Sequence, residues 1–467
     1  MGGVVMWGWG RPPARLAGAL VTVILWSAAG GVAPFAWTAP AYGEETPSAD
    51  AEKRKAYDRA FKAMMADPGN LDKTFAFAGL AIDVGDFDGA ISALERMLLI
   101  DPNLPRVKLE LGVLYYRVGS YQVAQNYLND ALAAPNVPPE VTEKAERFLA
   151  EIDKRLARNR FSGSLYAGMR YQSNANAGPA TSNVRVFGID ATLSDQFTSK
   201  SDFNGFAAAQ VKHEFDFQNQ RGDTMESTLL LYGTRQIEQT QVNLGYLELT
   251  SGPRFRFPTD GIGTISVRPY GLVDFVSLDD ARYYWAPGGG ANLNAIVSPE
   301  TTGDVIFEYR SLRYRDTHKQ PFNTDRNGRE LRGQVGATQV LFDFVQVGGY
   351  FGVIDQDAQL TSESNREYDG TVTVGFVYKP PLVPGELPWN TTLQATRAWI
   401  NYREPDPTID PTETRRDRDW RLSLSTSVPI TDQWGLNVTA ARFMRSSSIP
   451  NFAYTNTSVA VGATFRF

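Results

Sequence analysis

Two histidines are the whole imidazole inventory of this 467-residue chain, which has no cysteine. Acid–base and nucleophilic chemistry therefore have few places to reside. His318 closes the triplet Asp316-Thr317-His318. A carboxylate beside an imidazole can orient it as a general base, and water activation for hydrolysis asks for a second acidic pair close by. Asp279 and Asp280 are the local candidates, although acids and histidine are also ordinary residues of polar loops. His213 stands between Lys212 and Glu214 with no serine at a useful interval, and reads as a wall residue of a strand. No His or Cys cluster has metal-ligand spacing, and no glycine-rich loop precedes a helix. Gly288, Gly289 and Gly290 fall inside an extended segment, where they suggest a bulge or close packing. Arg415, Arg416, Arg418 and Arg421 make a basic run interrupted by Asp417 and Asp419, which reads as a solvated rim. The expectation is a chain that is no enzyme, with no catalytic residue, cofactor or metal.

The elements that must position these side chains declare themselves by two periods. From Phe161 onward the chain alternates: Phe161, Gly163, Leu165, Ala167, Met169 and Tyr171 are interleaved with Ser162, Ser164, Tyr166, Gly168, Arg170 and Gln172. Side chains alternate faces along a strand, so this is a ribbon with one apolar and one polar side. The device recurs on odd positions from Phe203 to Phe217 and on even ones from Val372 to Tyr378 and from Trp420 to Val428. The chain stops on SVAVGATFRF, with Val459, Val461, Ala463, Phe465 and Phe467 on one side.

About fourteen such segments are read between 161–172 and 457–467. Connections after even-numbered segments are mostly short (QNQRGD, TDGI, SPET, PITDQ), with PPLVPGELP a stiffer exception. Those after odd-numbered segments include long ones near 173–202, 316–328, 357–366, 404–415 and 446–456. An even number of amphipathic strands, with short turns at one end and long loops at the other, predicts a transmembrane antiparallel β-barrel whose last strand pairs with its first. Trp389, Trp420 and Trp434, at strand ends, would sit at headgroup level. The terminal aromatics Phe465 and Phe467 also resemble the signal that outer-membrane proteins present to the barrel assembly machinery.

The first residues carry Arg11 and Arg15, an apolar run from Leu16 to about Ala29, and Ala41 and Gly43 at signal-peptidase spacing before Glu44 and Glu45. Residues 1–43 read as a secretory signal peptide, with cleavage after Ala33 as the alternative. Beyond it, no run of about 18 apolar residues predicts a membrane-spanning helix. Without cysteine the chain has neither a lipid-anchor site nor a disulfide scaffold. Losing residues 1–43, which hold two Arg and no acid, moves the formal charge from −6 to −8. An acidic exported chain is a poor partner for nucleic acid.

Residues 44–160 have helical spacing and an internal repeat. Pro68 and Pro102, Gly85 and Gly119, Phe87 and Tyr121, Ala90 and Ala124, and Leu94 and Leu128 are all 34 apart. That period is the one of the tetratricopeptide repeat. Gly112 and Ala124 are small where the two helices of a repeat touch, and the prolines end second helices. Two copies are fewer than such an array needs, so helices near 50–66 and 139–157 are expected to supply the missing packing. The first helices of such repeats line a groove for peptides. The pattern puts Phe75, Ile82, Arg106, Leu109, Val113, Tyr116 and Arg117 on that side, either to bind a partner or to dock on neighbouring elements.

Helical repeats joined directly to a barrel of about fourteen strands resemble the surface lipoprotein assembly modifier family. The resemblance spans nearly the whole mature chain and is carried by LELGVLYYRVGSYQVAQNYLNDALAA (109–134) and FSGSLYAGMRYQSNANAGP (161–179). The chain departs from the family in having only about two clear repeats. The resemblance implies an outer-membrane protein of a Gram-negative bacterium, with a periplasmic domain over 44–160 and a barrel over 161–467. Its partners would be outer-membrane lipids and an exported client, a lipoprotein or a haemophore-like protein. The alternative is a polysaccharide exporter or a porin-like solute channel. The Asp316–His318 pair also resembles part of the omptin protease site, but a barrel of fourteen strands does not suit that family.

Overall fold

The computed structural model describes residues 47–135, 137–259, 263–317, 320–379 and 387–467. The expected signal peptide, His318 and most of the PPLVPGELP connection lie outside the described residues. The chain divides into two compact units at the Arg160–Phe161 junction.

The first unit consists of α1 (Pro47–Ala66), α2 (Leu71–Asp83), α3 (Phe87–Ile100), α4 (Pro105–Arg117), α5 (Tyr121–Leu132) and α6 (Pro139–Leu156). The two repeats are α2–α3 and α4–α5. Each turns tightly through a glycine in the left-handed region, Gly85 at φ +80° and Gly119 at φ +82°, a conformation costing other residues roughly 1–2 kcal/mol. Asn70 caps α2 by accepting from the Lys73 N–H at 3.1 Å, and Asp86 caps α3 by accepting from the Gly89 N–H at 3.0 Å. A Cβ on Gly112 would lie 2.6 Å from the Leu128 side chain, so its absence lets α4 and α5 meet. One apolar cluster is built on Phe77, Ala78, Leu94 and Leu111, and a second on Leu109, Val113, Leu128 and Ile152. The flanking helices α1 and α6 enter these clusters through Met64 and Ile152, completing cores that two repeats alone leave open.

A polar clasp joins the repeats. The Tyr115 and Tyr127 rings stack 5.5 Å apart, and both hydroxyls donate to Glu95 Oε1, at 2.7 and 3.3 Å. Burial, then the hydrogen bond to Glu95, pushes the Tyr115 phenol up to about 12. The folded unit therefore holds this proton more tightly than the unfolded chain. Its contribution is complete below the ordinary tyrosine value of 10.0 and is lost as pH rises through about 12. An ultraviolet titration should show a tyrosine ionising near that pH, and Glu95→Gln should move it downward. A Tyr115 that titrates unchanged in the variant would dismiss the clasp.

In the second unit, among the described residues, fourteen strands form a closed antiparallel barrel. They are β1 (Asn159–Gln172), β4 (Asp202–Asp216), β5 (Thr224–Gln236), β6 (Leu244–Thr259), β7 (Gly263–Leu278), β8 (Ala281–Ile296) and β9 (Thr301–Tyr314), followed by β10 (Gly328–Leu341), β11 (Val345–Ala358), β12 (Asn365–Tyr378), β13 (Trp389–Tyr402), β14 (Arg416–Pro429), β15 (Trp434–Ser447) and β16 (Tyr454–Arg466). Neighbours in sequence are neighbours in the sheet, and β16 returns to pair with β1. The expected alternation holds. Val459, Val461 and Phe467 are exposed on the outer wall, whereas Ala460 and Thr464 are buried on the inner one.

The lower end, with the mostly short turns, carries exposed Phe257, Phe342, Phe344, Tyr378 and Trp434, an aromatic belt suited to a membrane interface. The upper end carries the long connections and holds a feature that strand periodicity does not announce. Within residues 173–201 a small hairpin forms, β2 (Asn183–Val186) with β3 (Ile189–Thr192). It reaches the β13–β14 connection, where the Phe187 and Gly188 N–H groups donate to Thr408 O and Ile409 O at 3.1 and 2.9 Å. It also reaches the β15–β16 connection, where Asn451 accepts from the Arg185 N–H at 2.7 Å. The Arg403 N–H donates to Ser364 O and the Gln359 N–H to Asn327 O, so most upper loops are knitted into one layer.

Candidate functional site

The helical unit offers one candidate surface, and the structure divides its expected residues. Leu109 and Val113 are buried in the cluster that α6 covers. Tyr116 packs edge-on against Phe148 of α6, at 5.3 Å, and against Tyr121. Along the same stripe of α4, Arg106 pairs with Glu140 at 3.7 Å and Glu110 with Lys144 at 2.9 Å. These positions therefore hold α6 in place instead of lining an open groove. An apolar side chain one helical turn from the next looks the same in sequence whether a peptide or another helix covers it. Ile82 is half-buried against the first cluster. Phe75 and Arg117 remain exposed. Beside Phe75 a Cβ on Gly79 would meet nothing within 4 Å, so the open part of the surface runs along α2.

The barrel's inner wall is a second candidate, and it is tiled with charge. Arg310 on β9 reaches Asp274 on β7 at 2.8 Å, Glu308 at 2.6 Å, Glu248 on β6 at 3.4 Å and Glu330 on β10 at 3.7 Å. Glu226 on β5 accepts both Nε and Nη2 of Arg254, at 2.7 and 3.1 Å, and lies 3.5 Å from Arg268. On β14 and β15 of the same inner wall, Arg445 meets Asp419 through two bonds at 2.7 and 2.6 Å and Asp417 at 3.5 Å. Arg421 reaches Asp419 at 3.2 Å and Glu367 at 3.7 Å.

This corrects the reading of the Arg415–Arg421 run as a solvated rim. Arg415 and Arg421 point inward to paired carboxylates, with Arg415 Nη2 at 2.6 Å from Asp417, while Arg416 and Arg418 point outward. One residue of displacement along a strand moves a charge to the opposite face. The inward acids and arginines were all visible in the sequence. Their pairing was not, because partners sit up to three strands apart.

The seam between β1 and β16 is the third candidate. Gly163 and Phe467 exchange both backbone hydrogen bonds, at 3.0 and 3.1 Å, and the register runs from Ser164↔Arg466 to Gln172↔Ser458. Gly168 stands opposite Gly462 and Ala167 opposite Ala463. The inner side is nevertheless not bare. A Cβ on Gly462 would lie 2.7 Å from the Tyr166 ring, which covers the glycine and packs on Phe206 at 4.9 Å.

The residues singled out for catalysis are occupied otherwise. His213 is on the outer face, stacked on Phe161 at 4.5 Å. Asp279 and Asp280 form the two-residue turn between β7 and β8, at φ 53° and 60°, as such hairpins require. Asp280 also pairs with Arg235. Asp316 accepts from the backbone N–H and the hydroxyl of Thr324, both at 2.9 Å, and so shapes its own loop. Gly288 and Gly290 permit close packing: a Cβ on Gly290 would lie 3.0 Å from Tyr270, whose hydroxyl donates to Glu308 at 2.7 Å.

A tetratricopeptide repeat family model matches residues 81–143. The type III secretion chaperone SycD of Yersinia enterocolitica, in complex with a peptide of the translocator YopD, is 13% identical, with 31% of this chain and 98% of that one covered at a TM-score of 0.22. The TPR2B domain of yeast Sti1, in its Hsp70 complex, is 14% identical, with 23% and 88% covered at 0.22. MamA is 20% identical, with 22% and 61% covered at 0.20. No curated protein sequence matches the chain.

Proposed function

We propose that this chain is an outer-membrane export device of the kind the surface lipoprotein assembly modifier family represents. In this reading residues 1–43 direct export, the tetratricopeptide unit over 44–160 receives a protein client in the periplasm, and the barrel over 161–467 helps the client reach the surface of a Gram-negative cell. The observation that carries the reading is the union of a helical repeat unit with a closed transmembrane barrel in one chain. A diffusion channel has no use for such a unit, and repeat surfaces commonly take extended peptides. The client is a lipoprotein or a haemophore-like protein, and no cofactor takes part.

The test is surface display of a lipoprotein encoded beside this gene, read by protease shaving of intact cells. Phe75→Ala with Arg117→Ala should lower display while the heat-modifiable barrel remains. Full display from the double variant would mean that α2 and α4 recruit nothing. Single-channel conductance that persists with no effect on display would favour the solute channel.

Assembly is proposed to read Phe465 and Phe467. Phe467 stacks on Phe465 at 6.0 Å, and Phe465 lies 4.8 Å from Trp434, so the ring belongs to the lower aromatic ledge. Phe467→Glu should reduce barrel in the membrane and leave unfolded chain in the periplasm. Unchanged membrane levels would remove the role.

A further inference from the structure

Arginines on the two faces of β13–β15 are treated in opposite ways. Inward, Arg421 and Arg445 are met by carboxylates. Outward, on the upper part of the same strands, Arg397, Arg418 and Arg442 meet no carboxylate among the described residues. The sheet register gathers these three around one ring. Arg397 is directly opposite Trp420, Arg418 lies two residues before Trp420 on β14, and Arg442 stands opposite Leu422, two residues after it. The Arg397 guanidinium lies 5.0 Å from the centroid of Trp420 and 5.5 Å from that of Trp399. Arg442 is steadied by a hydrogen bond to the Thr457 hydroxyl at 3.0 Å.

Tryptophan over which a guanidinium stacks marks the level where the wall leaves hydrocarbon for headgroups. An outward cation just there is costly unless an anion from the lipid answers it. Two other upper-end outward arginines are answered from within the chain, Arg366 by Asp355 at 2.9 Å and Arg329 by Asp357 at 3.1 Å, whereas Arg313 lies over Trp285 at 5.0 Å with no carboxylate among the described residues. What sets the β13–β15 sector apart is that the register gathers three such arginines around one ring.

The geometry points to a lipid-headgroup site on the outer wall of β13–β15, in which Arg397, Arg418 and Arg442 hold a lipid carrying more than one phosphate while Trp399, Trp420 and Leu422 pack on its acyl chains. Three cations within neighbouring register positions call for more than the single negative charge of an ordinary phospholipid. Guanidinium forks suit phosphate oxygens better than ammonium groups do. The site rests on the transmembrane reading of the barrel, with the upper end in the leaflet that holds the polyphosphorylated lipid.

The experiment uses the full chain in detergent micelles, with native mass spectrometry after addition of diphosphorylated lipid A, its monophosphorylated form, or phosphatidylcholine. The parent is expected to retain the diphosphorylated lipid best and phosphatidylcholine least. Arg397→Gln, Arg418→Gln and Arg442→Gln combined should weaken the diphosphorylated lipid by about tenfold or more, whereas Arg329→Gln with Arg366→Gln should leave it unchanged. Heat-modifiable migration checks that each barrel is folded, and failure of that assay in the parent would indict the barrel reading rather than the site. Equal retention by parent and triple variant, equal loss in both variants, or no preference of the parent among the three lipids would each overturn the proposal.

Discussion

Arg310→Met is expected to destabilise the barrel by about 3–5 kcal/mol, the usual cost of removing one partner from a buried ionic cluster. Among the described residues, Arg310 is the only cation that reaches Asp274, Glu308, Glu248 and Glu330 together, from β9 across to β6, β7 and β10. Its side chain is 8% exposed, so water cannot readily take its place. Methionine retains most of the volume, which confines the loss to charge. Urea unfolding in micelles, followed by tryptophan fluorescence, should show a lower midpoint. Adding Asp274→Asn and Glu308→Gln to Arg310→Met should recover much of the loss, since the repulsion left behind is then removed. An unchanged midpoint in the single variant would mean that lumen water replaces the guanidinium, and the inner wall would be less tightly knit than its distances indicate.

The second large effect concerns passage through the wall. Small-residue pairing at Gly168↔Gly462 and Ala167↔Ala463 makes β1–β16 a weak pairing, partly offset by Tyr166. We expect export to require that this seam loosen. The register selects the cysteines for the test. Because Gly163 and Phe467 form a hydrogen-bonded pair, alternation makes Ser164↔Arg466 and Gln172↔Ser458 non-hydrogen-bonded pairs, whose side chains are closer. Gly168 and Gly462 are unsuitable, since a Cβ on either would lie within 2.5 Å of a backbone oxygen. The chain has no native cysteine, so Ser164→Cys with Arg466→Cys gives a single disulfide. Oxidised barrels should lose nearly all surface display of the client, and reduction should restore it. Normal display from a locked seam would move the path into the lumen.

Much of this architecture was legible in the order of residues because its governing forces are local and periodic. Alternation at Phe161–Gln172 or Ser458–Phe467 states which side of a strand faces lipid, whatever the strand's neighbours. The 34-residue spacing of Gly85 and Gly119 states a helical repeat, because each turn needs the same left-handed backbone. What only the tertiary structure decided depends on distant partners. Leu109, Val113 and Tyr116 belong to the α6 interface, since α6 lies more than twenty residues further along the chain yet packs on that stripe. Arg415, Arg418 and Arg421 share one short run, and the strand's pleat sends the first and last to buried carboxylates and the middle one outward. Asp419 and Arg445 meet because β14 and β15 fold back in one register, and Arg310 finds Glu248 three β-hairpin turns away. Local chemistry sets the face that a side chain occupies, and the register set by the whole closed sheet sets what it meets there.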